Sequence, residues 1–147
     1  MAYEIIAIPT NEAKRRRARG DTYGTAYKVK YFAVTAGGHD PNDSRIAVAV
    51  DPAATTMPGG APLFGPELID GVIWKSDFCP AYRCRVESGE YVGGVSSVGL
   101  WAEIVYVDPS DPSPPALGYT FLFAVANRPL LNLVSVDFVE FSLTVFY

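Results

Sequence analysis

The sequence predicts a mostly β protein: an antiparallel β-sandwich or barrel-like domain with one short N-terminal helix and long Pro/Gly-rich loops. Three observations carry that prediction. Residues 93–106 begin small and glycine-rich, then turn into β-branched and aromatic residues, the composition of a tight bend feeding a strand. Phe121 to Ala126 is an unbroken apolar run, the length of a strand buried on both faces. Val139, Phe141, Leu143, Val145 and Tyr147 alternate with Glu140, Ser142 and Thr144, so the last strand is expected to run to the last residue.

The remaining elements follow in chain order. Tyr3 to Ile8 reads as a short strand stopped by Pro9. Thr10 is a helix N-cap ahead of a basic helix near residues 11–19, with Gly20 in the C′ position. Tyr27 to Val34 alternates, with Tyr27, Val29, Tyr31 and Ala33 on one face and Lys28 and Lys30 on the other. Gly37 to Ser44 is a turn cluster, and Arg45 to Val50 a short strand of low bulk. Asp51 to Pro66 holds four prolines and three glycines. A loop of that length is expected to have a purpose or to pack against a neighbouring chain. Phe64 to Trp74 reads as loop entering a strand, and Phe78 to Val92 as one hairpin turning at Glu87-Ser-Gly-Glu90. Residues 93–106 and 118–129 are then adjacent strands joined by the arm Asp108 to Pro115, which four prolines stiffen.

At 147 residues the chain is one domain, and 49% apolar content suffices for a core. Charged residues are only 19% and aromatics reach 13%, a surface composition suited to contacts covered in an assembly. The net charge of −4 is unevenly placed. Residues 1–30 hold seven Lys and Arg against three acids, net +4, and the rest hold five bases against thirteen acids, net −8. A basic head on an acidic body argues against nucleic acid as partner. No apolar run approaches the ~20 residues of a membrane helix. The first residues lack a basic leader region, so the chain is expected to be made and assembled in the cytoplasm.

The search for chemistry yields no catalytic, cofactor or metal residues. The single histidine is His39, in a glycine-rich turn, and Ser96 and Ser97 miss the nucleophile-elbow spacing by one residue. His39, Asp40, Asn42 and Asp43 are oxygen-rich, yet a calcium loop needs glycine where Arg45 stands, so an Asx-turn is expected. No glycine-rich loop ends in Lys-Ser or Lys-Thr. Cys79 and Cys84 are too few for zinc, and their odd spacing aims them apart on a strand. Free thiols are expected, with an interchain disulfide the alternative outside the cell. The basic helix offers one partner-binding group, Arg15, Arg16, Arg17 and Arg19. These form either a solvated face or a docking face for an acidic protein surface.

Four segments in order resemble the N-terminal attachment domain of bacteriophage tail-fibre and collar-fibre proteins. Thr10-Asn-Glu-Ala13 is similar to that family's opening Thr-Asn helix. Val29 to Gly38, followed by Asp40-Pro41, resembles its strand and Gly-Gly…Asp-Pro turn. Glu90 to Leu100 resembles its Gly-rich segment leading into a Gly-Leu strand, and Leu122 to Pro129 the strand that ends in a proline. The chain departs from the family in its arginine-studded helix and in stopping where a trimeric shaft would follow. The resemblance implies a non-enzymatic virion structural protein, an adaptor securing fibres at the tail, baseplate or neck and collar. Its implied partners are other virion proteins and further copies of itself, a trimer foremost. The competing expectation is a carbohydrate-binding β-sandwich that uses Trp74, Trp101 and tyrosines as platform.

Overall fold

Alternation and proline placement sort the chain into eleven strands and one helix among the described residues, 1–146, of the computed structural model. In order these are β1 (Ala2–Ile6), β2 (Ile8–Pro9), α1 (Asn11–Tyr23), β3 (Ala26–Thr35), β4 (His39–Asp40), β5 (Asp43–Ala47), β6 (Phe64–Leu68), β7 (Gly71–Ser76), β8 (Cys79–Val86), β9 (Gly93–Tyr106), β10 (Thr120–Leu133) and β11 (Val139–Thr144). They form a four-stranded sheet ordered β1-β11-β8-β7, a five-stranded sheet ordered β2-β10-β9-β3-β6, and the small hairpin β4-β5. Every pairing is antiparallel except β1 with β11. The mostly β, sandwich-like architecture expected from the sequence is present.

The core lies between the two large sheets. Phe141 and Leu143 of β11 and Cys84 and Val86 of β8 meet Val98, Leu100 and Ile104 of β9 and Phe121 and Phe123 of β10. Burying each phenylalanine contributes about 1.5–3 kcal/mol, so this seam dominates the stabilising side of the fold. The predicted pair of central strands is β9 and β10, aligned from Thr120 opposite Glu103 to Leu133 opposite Gly93. Phe121 to Ala126 is buried on both faces, as its unbroken apolar run requires.

Several expectations are corrected by register and by chain crossings. Tyr3 to Ile8 is not one strand, because buried Ala7 carries the chain from the four-stranded to the five-stranded sheet. The helix runs past Gly20 to Tyr23, and Gly24, with φ 88°, is the C′ residue whose N–H bonds the Gly20 carbonyl. A Cβ on Gly20 would meet the Thr25 carbonyl oxygen at 2.8 Å, so that glycine serves close approach of the returning chain rather than termination. In β3, Lys30 is an extra residue between the pairs Val29–Ala102 and Tyr31–Trp101. That bulge inverts the alternation. Tyr27 and Val29 share the core with Phe32 and Val34, while Ala33 turns to the outer face of the sheet.

Phe78 to Val92 is not a hairpin. β8 turns back instead on β7, through Asp77 and Phe78, and residues 87–92 cross to the other sheet. β6 and β7, close in sequence, belong to different sheets, and the crossing is fixed by Ile69 N–H on the Lys30 carbonyl and Asp70 N–H on the Arg83 carbonyl. β5 begins at Asp43 rather than Arg45 and ends at Ala47. β10 does not stop at Pro129. The missing N–H is absorbed in an irregularity between Asn127 and Leu131, and pairing resumes to Leu133. β11 ends at Thr144, with Val139, Phe141, Leu143 and Val145 all buried, while the expectation for Tyr147 lies outside the described residues.

Candidate functional site

Thr10 starts the basic helix as expected: its hydroxyl oxygen accepts from Ala13 N–H at 3.1 Å and donates to the Leu122 carbonyl at 2.6 Å. This pins α1 across β10. The four arginines do not share one face. Arg16 is half-buried, 3.6 Å from Glu12, with its guanidinium over the rings of Tyr119 and Phe121. Arg19 pairs with Asp111 and lies over the Tyr23 ring. Arg15 and Arg17 are exposed. So Arg16 and Arg19 meet acidic groups of their own chain, Arg17 lies beside Tyr27 at the sheet, and Arg15 is exposed.

Asp111 is buried and anchors the proline arm. It accepts from Arg19 and from the Thr25 hydroxyl at 3.0 Å, and its own side chain caps Ser113 N–H at 3.0 Å. Burial pushes its carboxyl up, but the Ser113 N–H, Arg19 and Thr25 outweigh that and hold it below the usual carboxylate range. Asp108 receives Ser110, and Tyr119 donates to Glu12 at 3.1 Å. The arm therefore rests on α1, while Pro112, Ser113, Pro114 and Leu117 face outward.

The other proline-rich loop is an internal cover. Met57 is 3% exposed and packs with Ala33, Leu122 and Val125 on the outer face of the five-stranded sheet. Gly99 makes room for it, since a Cβ there would meet the Met57 sulfur at 2.8 Å. Thr35 donates to the Pro58 carbonyl, and Asn11 N–H to the Pro52 carbonyl. Beyond Pro62 this cover ends. The uncovered part of the face is a cleft of about 540 Å³ lined by Tyr31, Pro62, Pro66, Trp101 and Thr120. Trp101 is half-buried and its Nε1 has no hydrogen-bond partner.

One pairing was missed in the sequence. His39 Nδ1 lies 2.8 Å from Ser96 Oγ, a nucleophile-base distance. Ser96 is fully buried, however, and its Oγ also accepts from Gly38 N–H at 2.8 Å. A hydroxyl enclosed in this way meets no substrate, so the pair acts as a clamp holding the β4–β5 hairpin on β9. Among the described residues no three His, Cys, Asp or Glu side chains gather to hold a metal. Asp40 and Asp43 instead cap Asn42 N–H and Arg45 N–H, the expected Asx geometry. Cys79 and Cys84 are free and buried, and burial pushes the Cys84 thiol well up, a site for packing rather than reaction.

Large apolar side chains crowd the open sheet edges. Trp74 is 63% exposed and Phe78 71%, beside Val72 and Ile73 on the edge strand β7, and Leu68 is exposed on the edge strand β6. Comparison with protein-family models, with curated proteins and with solved structures finds no match.

Proposed function

We propose that the protein is a non-enzymatic structural subunit of a bacteriophage particle, an adaptor that secures fibres at the tail, baseplate or neck and collar. The observation that carries the assembly part is the apolar surface at the sheet edges. Val72, Ile73 and Trp74 lie along β7 and Phe78 in the turn that follows it, and the second edge of β7 has no partner strand among the described residues. Soluble monomers blunt such edges with charge, bulges or cover, whereas assembly subunits bury them against a neighbour. The particle itself is inferred from the ordered resemblance of short segments.

The carbohydrate reading draws on the Tyr31–Trp101 cleft. A sugar site also needs several polar side chains to hold hydroxyls, and here Thr120 is the one non-aromatic polar residue of the lining. Mass spectrometry of purified virions, with glycan-array screening of the isolated protein, separates the two readings. Stoichiometric presence in particles without glycan binding is expected. Clear glycan binding with absence from particles overturns the proposal.

A further inference from the structure

We infer that the Tyr31–Trp101 cleft receives the proline arm of a second copy of this chain. The cleft combines two aromatic side chains with two prolines, the surface on which extended proline-rich segments dock. Its flank is apolar as well, because Leu68 pairs with Tyr31 across the sheet and is 65% exposed. The arm supplies the matching ligand. Pro112-Ser-Pro-Pro-Ala-Leu117 is a stiff, extended sequence, and Leu117 is 69% exposed. Its anchors at Asp111 and Tyr119 fix it before contact, so docking orders little further chain.

Topology makes the contact intermolecular. Tyr119 stacks on core residue Phe121 and reaches Glu12, whereas Thr120, the next residue of β10, points to the opposite face and lines the cleft. Arm and cleft thus lie on opposite faces of one sheet, and an arm held on Arg19 does not enter its own cleft. Arm into cleft is a heterologous contact, which repeats from copy to copy into a ring where the rotation closes and a filament where it does not.

This inference concerns the isolated chain and stands whether or not the protein belongs to a particle. Sedimentation velocity of the full chain tests it with Pro114→Asp on the arm and Thr120→Arg in the cleft, both exposed positions. Wild type self-associates, and each variant, with unchanged melting temperature, weakens association by about tenfold or more. An equimolar mixture of the two variants retains one intact arm and one intact cleft, so it forms a dimer and nothing larger. A synthetic peptide of residues 110–119 added to a Trp74→Phe protein shifts the remaining Trp101 emission. A wild type that stays monomeric with no emission change overturns the inference. So does association that both variants leave intact, or a mixture that fails to dimerise.

Discussion

The two proline-rich loops have four prolines each, yet the fold uses them in opposite ways. The first buries one long apolar side chain, Met57, against Ala33, Leu122 and Val125 of the outer sheet face. The second buries one carboxylate, Asp111, and leaves its apolar side chain Leu117 69% exposed. Stiffness alone does not decide whether a loop covers its own chain or waits for another. The anchor decides: Met57 holds its loop by packing on the sheet, whereas Asp111 and Tyr119 hold the arm by hydrogen bonds at its two ends.

The largest expected effect tests the anchors directly. Met57→Ala destabilises by about 2–5 kcal/mol in urea unfolding, as for other buried methionines. Its counterpart on the arm, Leu117→Ala, stays within about 0.5 kcal/mol. Equal costs would mean that the arm is docked within the monomer and would erase the contrast. Next comes Gly99→Ala, which costs about 1 kcal/mol because the new methyl meets Met57. In a Met57→Ala background that cost disappears, so the double-mutant cycle shows strong coupling, and simple additivity would break the account of the cover.

Asp111 sharpens the comparison through pH. Its folded carboxyl titrates below the unfolded value of about 3.9, so its contribution is present above that value. The contribution is lost as pH falls through the folded pKa. Asp111→Asn therefore lowers the melting temperature at pH 7 and flattens the acid limb of stability, with little difference left once pH is below the folded pKa. Arg19→Gln flattens the same limb in part. Arg15→Gln, at the exposed position, changes stability by less than about 0.5 kcal/mol at any pH, the smallest effect of the set.

Elements with a strong local signal were legible in the sequence. The apolar run of β10, the alternation of β11 and the Thr10 cap each depend on neighbours a few residues away, and each is present, although β11 ends at Thr144 rather than at the last residue. Events set by distant contacts were not legible. The crossing at Ala7, the Lys30 bulge and the return of β8 onto β7 depend on which sheet lies beside the chain. Gly20 looks like a helix end because its reason for being glycine, the Thr25 carbonyl, arrives only after the chain turns back. The arginine cluster likewise read as one face. Its division, with Arg16 on Glu12, Arg19 on Asp111 and Arg17 beside Tyr27, depends on residues that the fold brings alongside the helix. The Ser96–His39 clamp carried no sequence signal at all, since a turn and a strand supply one side chain each.

The central claim is that residues 51–62 cover their own chain while the arm awaits a neighbour. Amide hydrogen exchange at low and high protein concentration measures both loops in one experiment. The account predicts that Gly60 N–H, bonded to the Met57 carbonyl in the Met57-anchored turn, is equally protected at both concentrations. The Ala116 and Leu117 amides of the arm exchange fast when dilute and gain protection only as the chain associates. Fast exchange of the Met57 turn when dilute, or an arm already protected in the monomer, would contradict it.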